Sequence, residues 1–177
     1  MTYNSFYNLL KTRRSIRKFE KREVEQEKID LLLKAGLMSP ASKSRNPWEF
    51  VVITDDEMMK KLSLSKSHGA QFLADCPLGI VIIADTLKSD VWIEDASIAS
   101  IIIQLQAHDL GLGSCWVQLR ERKTSTDESS EKYVRKLLNI PDNYAVLCIL
   151  GIGYPAESKK SYEENNLSYN KIHYHQF

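Results

Sequence analysis

The spacing of apolar side chains changes period along the chain, and each change marks an element. Residues 3–12 read as a short helix that ends in a basic run. Residues 24–38 read as a second helix. Ile29, Leu32, Leu33 and Leu37 recur there at helical spacing, Glu23, Glu25 and Glu27 sit where the helix dipole favours negative charge, and Pro40 marks the end. The run 48–54 (WEFVVIT) is rich in β-branched and aromatic residues and is a predicted strand. Asp55 or Asp56 can cap a helix that reaches about Leu64. Residues 79–84 (GIVIIA) are apolar without alternation, as in a strand buried on both faces. Residues 92–110 make the longest helix, 114–119 a strand, 128–138 a helix, and 144–151 a last core strand after Pro141, Asp142 and Asn143. From Tyr154 to Phe177 the chain is polar and has no clear period. Helices alternate with strands, which implies a sheet covered by helices on its faces.

The longest helix carries a second implication. Glu94, Ser97, Ser100, Gln104 and His108 fall in one arc of its wheel, while Ile98, Ala99, Ile102, Ile103, Leu105 and Ala107 fill much of the rest. A helix apolar over most of its circumference is buried on several sides. The burying surface is either the core of its own chain or a second subunit.

The 177 residues suffice for one domain with a real core, and no repeat or Gly/Ser-rich linker divides them. A content of 43% hydrophobic and 27% charged residues is that of a soluble globular chain. The net charge of +1 provides no bulk field for nucleic acid or membrane, so any polyanion must meet a local cluster. Cys76, Cys115 and Cys148 are odd in number and form no C-x-x-C pair. The N-terminus lacks a basic start followed by an apolar run, so a reducing, cytoplasmic setting is expected. The longest apolar runs have strand length, and no membrane span is expected. His68, His108, His173 and His175 make no metal-ligand pattern.

Three segments carry candidate chemistry. If the basic run Arg13, Arg14, Ser15, Ile16, Arg17, Lys18 is extended, Arg13, Ser15 and Arg17 share one face. Two guanidinium forks and a hydroxyl on one face suit a phosphate. The same run also reads as a solvated charge cluster at a helix end, or as a small nucleic-acid patch without interleaved aromatics. The loop from Ser39 to Trp48, stiffened by Pro40 and Pro47, has small residues that let backbone approach a flat ligand; it also reads as an ordinary turn. Gly111 and Gly113 follow the long helix and precede a strand. That order is the reverse of a dinucleotide fingerprint, so a Rossmann site is rejected and Gly111 reads as a C-cap. Cys115 reads as a nucleophile or, with no recognisable histidine partner, as a packed thiol. The charged stretch 120–130 (RERKTSTDESS) reads as a mobile loop at a cleft rim or as a plain surface connection.

Together these pieces resemble the FMN-dependent nitroreductase family. The likeness rests on RRSIRKF at 13–19, SPAS at 39–42 with PWEF at 47–50, DASIA at 95–99 opening the long helix, GLG at 111–113 closing it, and GIGYPAE at 151–157. Their order and spacing span nearly the whole chain. The resemblance implies an α+β fold, a three-layer α/β/α sandwich with a mixed sheet. It implies a domain-exchanged homodimer with FMN at the subunit interface, and residues 154–177 as an arm on the partner. It implies that Arg13 and Ser15 hold the FMN phosphate with Arg14 close by, and that Arg17 lies near the pyrimidine end of the ring. Pro40, Ala41 and Ser42 would approach the ring from the other subunit. Trp116, Val117, Gln118 and Leu119 would offer backbone groups, Gly151 and Gly153 would let backbone come close, and Lys171 would be a second cation for the phosphate. Ser44 and Ala41 stand where many relatives carry Asn and Ser, which opens a place for Arg45 at the ring.

The implied activity is electron transfer from NAD(P)H to small acceptors such as nitroaromatics or quinones, by ping-pong kinetics in one shared pocket. The flavin carries the chemistry and no side-chain acid or base is required. Reductive dehalogenation or flavin fragmentation on the same fold is the alternative; a non-enzymatic anion-binding module is a further one. Neither the physiological acceptor nor a preference between NADH and NADPH is encoded in a motif.

Overall fold

A computed structural model describes residues 5–177. The helix expected over residues 3–12 appears as α1 (Ser5–Thr12); Tyr3 and Asn4 lie outside the described residues. The chain continues through α2 (Gln26–Leu37), β1 (Trp48–Ile53), α3 (Asp56–Ser63), β2 (Leu78–Asp85), α4 (Trp92–Asp109), β3 (Gly113–Gln118), α5 (Ser130–Leu138) and β4 (Tyr144–Gly153). Each expected element is present within a few residues of its expected ends. Asp55, not Asp56, caps α3, accepting from the Met58 N–H. Ser129 caps α5 in the same way, and Gly111, at φ +76°, closes α4.

The sheet runs β1-β2-β4-β3, and all of its pairings are antiparallel. The mixed character expected of it shrinks to one parallel bridge, from Ser15, outside the four strands, to Ser114 of β3. One core lies between the sheet and α2 with α4, containing Leu32, Ile80, Ile82, Ala99, Ile103 and Leu150. The other lies beneath α3 and α5, containing Met59, Leu62, Val81, Val117, Val134 and Ile149. Three layers result, and β2 is buried along its whole length, as its unbroken apolar run requires.

At a register shift between Ile82 and Ile83, Leu147 has no partner across the ladder. The Leu147 carbonyl instead accepts from both the Leu119 and Arg120 N–H groups, which turns the chain away after β3. The stretch 120–130 then closes on itself. The Thr124 N–H donates to the Glu128 carbonyl, the Ser130 N–H to the Arg122 carbonyl, and Thr124 is buried. The mobile loop expected there is a hydrogen-bonded hairpin, because its Ser, Thr and Asp side chains supply turn chemistry.

The buried face of α4 takes Ala99, Ile103 and Ala107 from its apolar side together with Ser100 and Gln104 from its polar arc, while Glu94 of that arc is exposed. Ser100 and Gln104 are buried against the sheet. The Ser100 hydroxyl donates to the Ala96 carbonyl at 2.7 Å, and the Gln104 amide donates to the Ser114 hydroxyl at 3.2 Å. Ile98 and Ile101 are 39% and 40% exposed, and Phe6 and Leu10 of α1 and Leu31 and Leu37 of α2 are exposed as well. A mostly apolar groove of about 380 Å³ opens between α1, α2 and α4, lined by Phe6, Leu9, Ala35, Ile102 and Leu105 with Gln106 and Asp109.

Candidate active site

Residues 13–20 form an extended strap along the free edge of β3. The Ile16 N–H donates to the Ser114 carbonyl at 3.0 Å, and Ile16 packs directly on Gly113, where a Cβ would fall 2.8 Å from it. Further on, the strap pairs with the chain after β4. The Ala156 N–H donates to the Lys18 carbonyl, and the Glu20 N–H donates to the Tyr154 carbonyl. The Glu157 carboxylate accepts from the backbone N–H groups of Arg17 and Lys18 at 2.7 and 3.3 Å. Alternation then sends Ile16 inward and leaves Arg13, Ser15 and Arg17 on the side of Cys115. Burial pushes the Cys115 thiol up, against the opposing pull of Arg17, Ser15 and Arg13, as suits a packed thiol.

The guanidinium groups of Arg13 and Arg17 make no hydrogen bond or ion pair among the described residues. The other arginines differ: Arg22, Arg45, Arg120 and Arg135 pair with carboxylates, Arg122 donates to a carbonyl, and Arg14 donates to the Lys160 carbonyl while stacking 4.6 Å over Tyr162. Arg14 therefore binds the C-terminal arm and points away from the other two. His108, at the end of α4, meets the Thr12 hydroxyl at 2.8 Å, and burial together with the charge of Arg13 holds its pKa below the ordinary value.

The β3 edge divides the four residues expected to offer backbone. Because the Ser114 carbonyl faces the strap, the main-chain groups of Trp116 and Gln118 point outward as well, while those of Val117 and Leu119 point toward β4. Trp116 and Gln118 thus turn their N–H and C=O groups away from β4, where the Trp116 carbonyl accepts from the Cys115 thiol at 3.7 Å; the Trp116 indole donates to the Gln118 side chain at 2.9 Å. Val117 and Leu119 are buried, and the Leu119 N–H is taken by Leu147.

Gly151 and Gly153 are approached closely by side chains of their own chain. A Cβ on Gly151 would fall 2.8 Å from Leu73 and Phe72, and one on Gly153 would fall 2.6 Å from Pro77. Their small size admits the 3₁₀ turn Gln71–Asp75 and the following Pro77, which is a packing role. Lys171 lies on the exposed 3₁₀ turn Tyr169–Lys171 and has no side-chain hydrogen bond or ion pair among the described residues. The first part of the arm lies on its own chain: the Tyr162 N–H donates to the Lys11 carbonyl, and Lys11 pairs with Glu164 at 3.3 Å. From residue 165 to 177 every residue is exposed.

The loop with Pro40, Ala41 and Ser42 lies elsewhere, before β1 at the opposite edge of the sheet. The Asp95 carboxylate, 3% exposed in the first turn of α4, holds it: Oδ1 accepts from the Ser42 N–H at 2.8 Å and Oδ2 from the Ser89 hydroxyl at 3.0 Å. Lys43, Ser44 and Asn46 adopt φ of +52°, +55° and +46°. A non-glycine residue in this region costs about 1–3 kcal/mol and persists only where its surroundings hold it. Arg45 pairs with Asp90 at 2.8 Å and is not turned to a ligand. Asp95 and Glu157 stand in quoted motifs, yet neither had a role assigned from sequence. An acidic residue in the first turn of an otherwise apolar helix was the available signal for Asp95.

With this geometry in view, the nitroreductase family model matches residues 10–71 and 64–154. The chain belongs to the nitroreductase family. An FMN-dependent nitroreductase of Clostridium difficile superposes with a TM-score of 0.95 at 51% identity, covering 97% of this chain and 99% of that one. A protein of Archaeoglobus fulgidus, whose name couples NADH dehydrogenase with NAD(P)H nitroreductase, is 36% identical over 93% of this chain and 94% of its own length. Iodotyrosine deiodinase 1 of Rattus norvegicus is 26% identical over 88% of this chain and 64% of its own length. Among the described residues of this nitroreductase-family chain, no helix is long and apolar enough to cross a membrane, and no cluster of three or more His, Cys, Asp or Glu is suited to a metal.

Proposed function

We propose that this chain is an FMN-dependent oxidoreductase that works as a homodimer, taking electrons from NAD(P)H and passing them to small acceptors such as nitroaromatics or quinones. The observation that carries the reading is the pair of unpartnered guanidinium groups, Arg13 and Arg17, flanking the Ser15 hydroxyl beside the free edge of β3. This donor set fits a phosphorylated flavin: charge-assisted forks for the phosphate at one end, and outward N–H and C=O groups of Trp116 and Gln118 for a ring with amide-like edges. Bound there, FMN supplies two-electron transfer, accepting a hydride and returning electrons to an acceptor. Arg13 and Ser15 hold the phosphate. Arg17 offsets negative charge gathering at the pyrimidine edge, which raises the reduction potential. Lys171, on the exposed end of the arm, is a second cation for the phosphate.

The dimer follows from distance. Asp95, which tethers the Pro40–Ala41–Ser42 loop, and His108, beside the strap, are about 20 Å apart along α4 at the helical rise. The loop also enters β1 while the strap borders β3, so the four-strand sheet, about 14 Å between its edge strands, separates them. A two-fold partner brings the loop of one chain to the strap of the other. The exposed Ile98, Ile101, Phe6 and Leu10 supply the apolar surface for that contact, and residues 165–177 are free to reach across.

The test is an absorbance spectrum of the purified protein, before and after anaerobic NADH and then NADPH, on material sized by sedimentation. Bound flavin bleached by either donor, in a dimer, is the expected result; a colourless monomer that takes up no added FMN overturns the reading. Donor and acceptor sharing one pocket predicts parallel double-reciprocal plots, and converging lines contradict it. The deiodinase relatives favour one second reading, reductive dehalogenation by the same site. A panel pairing nitroaromatics and quinones with halogenated phenols separates the two by relative kcat/KM.

A further inference from the structure

The tether under the Pro40–Ala41–Ser42 loop has a composition that ordinary loop anchoring does not require. Asp95 is a buried carboxylate with no ion pair among the described residues, and Arg45 of the loop is taken by Asp90. Its two oxygens are used separately, one on the backbone of the loop and one on Ser89, itself buried, in the connection between β2 and α4. A charge withdrawn from water needs such donors, and its place in the first turn of α4 adds the favourable end of the helix dipole. Immediately after the tethered Ser42 come the left-handed residues Lys43, Ser44 and Asn46. At the two ends of the loop, the buried Ser39 hydroxyl and Trp48 indole N–H find no hydrogen-bond partner among the described residues. Asp95 is therefore the buried polar group that ties this strained loop to the rigid layer behind it.

We propose that Asp95, with Ser89 behind it, is a positioning residue that fixes the loop in the shape it presents to the flavin held by the partner chain, and so sets flavin affinity and potential without touching the cofactor. The inference rests on the homodimeric flavin reading above. Removing the carboxylate frees the backbone at Ser42 and lets Lys43, Ser44 and Asn46 relax to ordinary conformations. The loop then meets the ring in many shapes instead of one, and preorganisation is lost. The amide of Asn in place of Asp95 keeps an acceptor for the Ser42 N–H and a donor for the Ser89 hydroxyl, so it retains the tether at reduced strength.

The experiment compares Asp95→Ala, Asp95→Asn and Ser89→Ala in the full-length protein. Amide hydrogen exchange at residues 42–46 is read without flavin; FMN dissociation constant, flavin midpoint potential and kcat and KM for NADH are read with it. In Asp95→Ala we expect at least tenfold faster exchange confined to the loop, at least tenfold weaker FMN binding and a displaced potential, in a protein that remains dimeric. Asp95→Asn is expected to recover most of each effect, and Ser89→Ala to lie between. If Asp95→Ala does not fold, Ser89→Ala carries the test by the same readings. Wild-type FMN affinity and potential in a variant whose loop exchanges faster overturn the positioning role and leave the flavin reading standing. Unchanged exchange overturns the tether itself. A wild-type protein that takes up no FMN overturns both.

Discussion

The two ends of α4 solve opposite problems. At its N-terminal end a loop of non-glycine residues is bent into left-handed conformations and tied down by a buried carboxylate whose hydrogen bonds are all satisfied. At its C-terminal end the strap 13–20 is relaxed and pinned by backbone bonds to Ser114 and Tyr154, yet it keeps Arg13 and Arg17 unsatisfied. One end is strained and has its charge hydrogen-bonded within the protein; the other leaves two guanidinium groups without a protein partner among the described residues, as the proposed phosphate site requires. Both conditions belong to a site assembled from two places in the chain, where one side must be preorganised and the other electrostatically hungry.

The largest effect should come from separating the two ends. Ile101→Asp places a charge on the exposed apolar face of α4 and is expected to yield monomers in sedimentation, with FMN uptake lost because loop and strap no longer meet. Next comes the hungry end alone. Hydrogen bonds to charged groups contribute about 1.5–3 kcal/mol each, so Arg13→Ala should weaken FMN binding by roughly a hundredfold in a fluorescence titration while dimerisation persists. An unchanged dissociation constant would remove the phosphate from this end.

Smaller effects test what supports the strap. Gly153→Ala puts a methyl 2.6 Å from Pro77 and 3.1 Å from Phe19. Overpacking of this kind costs about 1–3 kcal/mol, at roughly 2–4 °C in Tm per kcal/mol for a chain of this size. FMN affinity should fall far less than in Arg13→Ala, since Gly153 makes room for side chains of its own chain. The smallest effect concerns the clasp behind the strap, where the Tyr154 hydroxyl donates to Glu25 at 2.6 Å and Arg22 pairs with Glu25 at 2.7 Å. That hydroxyl first, and Arg22 after it, hold the Glu25 carboxyl down at about 2. A depressed carboxylate adds stability above its ordinary pKa, and the contribution is lost as pH falls from about 4.5 through about 2. Carbon-13 titration of Glu25 should give that low midpoint, and Tyr154→Phe should raise it toward the usual carboxylate range.

Much of the fold was legible because each strand and helix carries its own period. The unbroken apolar run of β2 and the cap at Asp55 are local signals that tertiary contacts did not override. The strap was legible too: alternation alone puts Arg13, Ser15 and Arg17 on one face. Gly151 and Gly153 were less legible, because a small residue records only that something comes close; Leu73, Phe72 and Pro77 arrive from distant parts of the chain. The α4 wheel implied burial on several sides without saying which polar residues turn inward. Ser100 finds a carbonyl within its own helix and Gln104 finds a hydroxyl on β3, so these polar residues could face inward and leave isoleucines outside.

By itself the sequence determined the element order, the shared face of Arg13, Ser15 and Arg17 on the strap and the family, since all three are written in local spacing and short motifs. Only the tertiary structure decided that the sheet is antiparallel, which backbone groups of β3 turn away from β4, that Arg14 serves the arm, and that Asp95 ties down the loop. These depend on which partner a hydrogen-bonding group finds in space, and a buried polar atom will take whichever partner the fold brings within about 3 Å.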